Sequence, residues 1–157
     1  DEQIRKTIVL LEPSWSAKEI DFDVDLAEVE YTGSESLMQH VWSNLIGNAI
    51  RYSSDDKYVK VIVTDLGANG VRCEVIDHGQ GISAGDLQSV WDRYYQSSQN
   101  HSRNQKGSGL GLSIVKQIFI LHGAKYGVES TEGEGSHFWF ELKRSLDRQE
   151  MENSRKR

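Results

Sequence analysis

One cysteine and one proline in 157 residues, and no apolar run near the twenty or so needed to cross a bilayer, exclude several classes at the outset. Cys73 has no cysteine to pair with, so neither an internal disulfide framework nor a cysteine-rich metal site is available. It lies in an alternating segment and reads as a small core residue in a reducing compartment. Basic residues are also in deficit: 18 Lys plus Arg stand against 24 Asp plus Glu, a net charge of −6. Such a surface repels phosphate backbones, so no nucleic-acid partner is expected. No charged-then-apolar signal segment opens the chain, and the polypeptide reads as soluble.

What is present suits one domain, with 37% hydrophobic and 27% charged residues. Ile4, Ile8, Leu11 and Trp15 recur at helical spacing across Asp1 to Ser16, although Pro13 must bend or restart the backbone there. Ile20 to Leu26 alternates apolar and acidic residues, a half-buried strand exposing Asp21, Asp23 and Asp25. Ser34 can cap a helix from near Glu35 to near Tyr52. Tyr58 to Leu66 and Val71 to Ile76 alternate around Gly67-Ala68-Asn69-Gly70, a hairpin. Ser83 to Trp91 is compatible with a short helix, and the polar run from Asp92 to Ser108 has the character of a lid. Leu110 to Leu121 returns to helical spacing and ends at His122-Gly123. Tyr126 to Thr131 and His137 to Leu142 form a second hairpin, and the tail from Ser145 is too polar to bury.

Within the Glu35 helix, Asn44 and Asn48 lie four apart and share a face, beside the apolar stripe of Leu37, Val41 and Leu45 that Trp42, Ile46 and Ile50 widen. Asparagine favours caps and turns, so two in mid-helix suggest oxygens with assigned partners. Capped or solvated amides are the bland alternative. Gly79 and Gly81 follow a strand, but antiparallel flanks exclude a dinucleotide fingerprint. Gly107, Gly109 and Gly111 open the third long helix, where bare amides and the positive helix end can receive a polyphosphate. No Walker pattern follows them.

Taken together, Asn-x-x-x-Asn-Ala, Asp-x-Gly-x-Gly, an aromatic pair before a polar stretch, and Gly-x-Gly-Leu-Gly-Leu resemble the catalytic ATP-binding domain of sensor histidine kinases, of the GHKL superfamily. The likeness covers nearly the whole chain up to about Lys143. It implies an α+β, two-layer α/β sandwich (the Bergerat fold): a mixed, mostly antiparallel sheet on about three helices, with a flexible ATP lid. Residues 1–144 would be the catalytic domain and 145–157 a disordered tail. Asn44 to Ala49 looks like the asparagine box, Asp77 to Gly81 the first glycine box, Trp91 to Tyr94 the phenylalanine box, and Gly107 to Gly111 the second glycine box.

The resemblance also implies roles. Asp77 would accept the adenine amino proton, where guanine presents a carbonyl. Asn48 would ligate Mg²⁺ through its side-chain oxygen, with Asn44 supporting that shell. Arg51 would reach phosphate and Tyr52 would line the adenine pocket; Arg93 would assist the transferred phosphate, with a plain surface arginine as the alternative. Gly79, Gly81 and Ile82 would form the loop beneath the nucleotide, and Tyr94, Lys106, Gly107, Ser108, Gly109, Leu110, Gly111 and Leu112 its lid side. Gyrase-type and heat-shock-chaperone ATPases, which resemble this fold, activate water with a glutamate four residues before the metal asparagine. Here that place holds Asn44, an amide that cannot act as a base. The pattern therefore favours histidine phosphorylation over hydrolysis, with a nucleotide-dependent interaction module, a GHKL ATPase and an anti-sigma serine kinase as alternatives.

His78 and Gln80 stand where Asn and Pro are commoner in the family, Trp91 and Tyr94 replace two phenylalanines, and Lys106 stands where a glycine often lies. None of His40, His78, His101, His122 and His137 has the context of the family's phospho-accepting histidine. The partners implied are a separate helical dimerisation and phospho-acceptor domain and a response regulator, in a cytoplasmic part of a plasma-membrane sensor kinase. Asn100-His101-Ser102 is a chance glycosylation match.

Overall fold

The computed structural model describes residues 1–53, 56–93 and 110–144. Its elements are α1 (Glu2–Leu10), α2 (Glu12–Ala17), β1 (Asp21–Leu26), α3 (Glu35–Tyr52), β2 (Tyr58–Asp65), β3 (Val71–Asp77), α4 (Gly111–Leu121), β4 (Lys125–Thr131) and β5 (Gly135–Leu142). The strands form one sheet in the order β1-β2-β3-β5-β4. β1 runs parallel to β2, because α3 carries the chain back across the sheet between them. All other pairings are antiparallel. This is the two-layer α/β sandwich with a mixed, mostly antiparallel sheet.

Strand alternation builds the core. Val59, Val61 and Val63 of β2, Val71, Cys73 and Val75 of β3, and Phe138, Phe140 and Leu142 of β5 are all buried. They meet the stripe of α3, where Val41, Trp42, Leu45, Ile46 and Ile50 are buried, and Val115, Ile118 and Phe119 of α4. Phe140 is fully enclosed, its ring 5.2 Å from Trp42 and 4.7 Å from Phe119. Burying one such ring contributes about 1.5–3 kcal/mol. The opposite sheet face is polar and aromatic: the Arg72 guanidinium lies 4.5 Å over the Trp139 ring and bonds Glu141, while His137 bonds Glu74.

Both ends of α3 are tied down. The Ser34 hydroxyl accepts from the Leu37 N–H at 3.3 Å, the cap that the sequence suggests. At the other end Lys18 Nζ donates to the Ile50 and Arg51 carbonyls, each at 2.9 Å, and the Ser53 hydroxyl also donates to Ile50. The loop after β3 completes this end, where the Gln80 N–H meets the Tyr52 carbonyl at 3.4 Å. These contacts satisfy carbonyls that a helix end otherwise leaves to water.

Of the two outcomes open at Pro13 the structure has the restart: the first helical stretch is two helices, with Pro13 in the first turn of α2. Two expectations need correction. Ser83 to Trp91 is a run of hydrogen-bonded turns rather than a helix, with Ser83 accepting from Asp86 and Leu87 and no longer ladder forming. Val24, read as facing inward, is exposed, because β1 is an edge strand. Most of the lid (residues 94–108) and the tail (145–157) lie outside the described residues. Among the described residues, no helix is long and apolar enough to cross a membrane.

Candidate functional site

The inward stripe of the sheet stops being apolar along one row. Reading across the strands in register, Val59 pairs with Asp77, Asp77 with Ser136, and Ser136 with Ser130. Asp77 continues the stripe of Val71, Cys73 and Val75, yet it is a carboxylate only 6% exposed. Its Oδ1 accepts from the Gly79 N–H at 2.9 Å. Burial pushes its pKa up to about 6, against the pull of the backbone N–H groups of Gly79 and Ser136 and of His78. A buried acceptor incompletely compensated in this way suits a ligand that brings a hydrogen-bond donor.

The loop after Asp77 is pressed onto its neighbours. A side chain at Gly79 would collide with the Tyr52 carbonyl, so only glycine lets this loop lie against the end of α3. Gly81 has φ of 69° and its Cα faces the Thr131 carbonyl, a conformation and an approach that again need glycine. Ile82 follows with its N–H donated to the Ser130 hydroxyl at 2.8 Å. His78 points outward, its Nδ1 3.0 Å from Asp56 and its ring 4.6 Å from that of Tyr58.

On α3, Asn44 and Asn48 are both half-buried, beside the buried stripe. Asn44 Nδ2 donates to the His40 carbonyl at 2.8 Å, and its Oδ1 lies directly against Gly111, where any side chain would strike it. The first turn of α4 is thereby seated on the asparagine pair's helix. That turn has no acidic residue and no side-chain cap on its N-terminus; Leu110 precedes it and Leu112 packs partly into the core. Arg51 and Tyr52 occupy the last turn of α3, half-buried, next to the glycine loop. Arg93 is an exposed residue in a turn.

Trp91 is an anchor rather than an exposed aromatic. Its ring meets Tyr126 at 5.1 Å, Phe138 at 5.7 Å and Phe119 at 6.3 Å, all edge-on. Of the candidate residues, Tyr94, Lys106, Gly107, Ser108 and Gly109 lie outside the described residues. Ser130 and Ser136 were not singled out from the sequence. The signal was there: each is a hydroxyl at a place where Tyr126, Val128, Phe138 and Phe140 make the alternation apolar.

A family model described as "Histidine kinase-, DNA gyrase B-, and HSP90-like ATPase" matches residues 33–146, more than half of the chain. The sensor protein GacS of Pseudomonas syringae pv. syringae is 31% identical over 160 residues, covering 96% of this chain and 17% of its own length. The heme sensor protein HssS of Staphylococcus saprophyticus subsp. saprophyticus is 35% identical over 144 residues, covering 90% of this chain and 30% of its own length. The chain thus spans less than a third of either relative. Among solved structures, the mycobacterial sensor histidine kinase MprB superposes with a TM-score of 0.80 at 26% identity, over 90% of this chain and 93% of that one. The catalytic domain of histidine kinase ThkA gives a TM-score of 0.77 at 27% identity, over 91% of each chain. With the buried Asp77 and its glycine loop at one end of the sheet, these likenesses agree, and the chain belongs to the histidine kinase-, DNA gyrase B- and HSP90-like ATPase family, as a catalytic domain of the sensor histidine kinase kind.

Proposed function

We propose that residues 1–144 bind Mg-ATP and transfer its γ-phosphoryl group to a histidine on a separate helical dimerisation domain, for onward transfer to a response regulator aspartate. The observation that carries this reading is Asp77: a buried carboxylate at a strand end, over a glycine loop that only glycine can form. It accepts the amino group of adenine; guanine offers a carbonyl there and leaves the carboxylate facing an acceptor. Gly79, Gly81 and Ile82 carry the base, and Tyr52 lines its side.

The phosphates run toward α3 and the start of α4. Asn48 ligates Mg²⁺ through its amide oxygen, a donor that suits a hard cation. Among the described residues no group of three or more His, Cys, Asp or Glu is placed to hold a metal ion. Bound at Asn48, Mg²⁺ would neutralise phosphate charge. Asn44 braces α4 through Gly111, and Arg51 lies one turn beyond Asn48 to meet phosphate. Leu110, Gly111 and Leu112 at the α4 start meet the nucleotide beside the positive helix end, and Tyr94, Lys106, Gly107, Ser108 and Gly109 are nucleotide-binding residues by their motif. Arg93 assists the transferred group. Phosphoryl transfer asks mainly for alignment and charge neutralisation, which these groups supply without a base. Asn44 cannot take a proton from water, so transfer is favoured over hydrolysis.

The full-length protein would join this domain to a membrane sensor, with this part in the cytoplasm. The test mixes the chain with the cognate helical domain, Mg²⁺ and ATP labelled at the γ-phosphate. Label that is acid-labile and base-stable is expected on histidine of the helical domain, and none on the chain alone. Release of free phosphate without such label would instead support hydrolysis.

A further inference from the structure

The Ser130 hydroxyl has one hydrogen and two lone pairs, and all three are engaged. It donates to the Gly135 carbonyl at 2.8 Å and accepts from the Ile82 N–H at 2.8 Å. The Ser136 hydroxyl lies 2.9 Å away, and since Ser130's hydrogen is spent on Gly135, Ser136 is the donor of that bond. One side chain thus joins three segments: the glycine loop after β3, the end of β4 and the start of β5. Around it the two segments touch again, where the Gly133 N–H donates to the Gln80 carbonyl at 2.7 Å and Gly81 faces the Thr131 carbonyl. Ser136 in turn is the strand partner of Asp77 across β3 and β5.

We propose that Ser130 is a positioning residue for the nucleotide: its hydroxyl pins the Gly79–Ile82 loop to the β4–β5 hairpin and so holds Asp77 and the loop in the register that receives adenine. The inference rests on the ATP-binding reading above. Neither β4 nor Ser130 need touch the ligand; the hairpin is the bed on which the base-binding loop lies. Removing the hydroxyl leaves the Ile82 N–H without its partner and frees Ser136 to turn, so the Ile82 end of the loop loosens while its Gln80 ties and the apolar core stay in place.

The experiment compares the 157-residue chain with Ser130→Ala and Ser130→Thr, measuring affinity for Mg-ATP, Mg-ADP and Mg-GTP by calorimetry, the melting temperature, and hydrogen exchange at the Ile82 amide. In Ser130→Ala the Ile82 amide exchanges faster, and affinity for ATP and ADP falls by the same factor, about 5- to 10-fold, with the preference for ATP over GTP narrowed. The melting temperature changes by only a few degrees, and Ser130→Thr, which keeps the hydroxyl, restores affinity. Wild-type affinity in Ser130→Ala overturns the proposal. So does an affinity loss that tracks the melting temperature and is not rescued by threonine. A wild-type chain that binds no ATP sinks the ATP-binding reading itself, whereas a wild type that binds and an alanine variant that binds equally well sinks only the role of Ser130.

Discussion

Asp77 concentrates the conflict between stability and function in one side chain. Burial raises its pKa from 3.8 to about 6. A carboxyl whose folded value lies above its unfolded one binds more protons folded than unfolded. Its contribution is therefore favourable below about pH 4 and is lost as pH rises through 6. At neutral pH the buried charge costs the fold about 3 kcal/mol. Asp77→Asn should accordingly raise the melting temperature at pH 7 while weakening ATP binding by about 10-fold or more, the loss of one buried charge-assisted hydrogen bond. Thermal scans from pH 4.5 to 7.5 check the first half, since the wild type should lose stability across that range relative to the variant. Calorimetry checks the second; unchanged affinity would remove Asp77 as the base contact. Wild-type ATP affinity should also fall between pH 7 and pH 5, as protonation spoils the acceptor.

At the scale of elements, α3 works because both its ends are held and its middle is loaded with groups a helix does not need. Asn44 and Asn48 gain nothing for the helix, as their propensity is poor. Lys18 stabilises the far end, donating to the Ile50 and Arg51 carbonyls, and desolvation together with the nearby Arg51 charge lowers its pKa. Lys18→Met should cost about 1 kcal/mol in urea denaturation and should weaken nucleotide binding less than Asp77→Asn does, since it touches the site only through the helix end. The elements themselves were largely legible beforehand: the Ser34 cap, the α3 stripe and both hairpins follow from local chemistry. The turns at Ser83 to Trp91 were not, because composition allows a helix there while Val90 is buried and Trp91 packs against Phe119, Tyr126 and Phe138. Tertiary packing outweighed a weak local preference.

At the scale of the whole molecule, the site lies where sheet, hairpin turn and helix ends converge, so ligand binding should be felt by the entire fold. At a concentration about 100 times its Kd, Mg-ATP stabilises a binding-competent fold by about 2.7 kcal/mol. For a domain of this size that corresponds to a rise in melting temperature of about 5–10 °C. Differential scanning fluorimetry should show that rise with ATP, little or none with GTP at equal concentration, and a much smaller one in Asp77→Asn. Equal shifts with ATP and GTP would contradict the base-selecting role of the Asp77 row.

The sequence by itself determined most of the elements and the order of the motifs, because helical and strand periods, caps and glycines act over a few residues, and the motifs together implied the class of fold through their resemblance. It also placed Asn44 and Asn48 among the candidates, as amides beside an apolar stripe, and Asp77 through the resemblance its Asp-x-Gly-x-Gly run carries. Only the tertiary structure decided that Gly111 rests on Asn44, that Lys18 closes the end of α3, and that Ser130 joins the glycine loop to a hairpin 48 residues further on. Those contacts depend on how one strand's register meets another's and on which helix end packs against which loop. Such distances are set by the packed core as a whole, and no local pattern of residues encodes them.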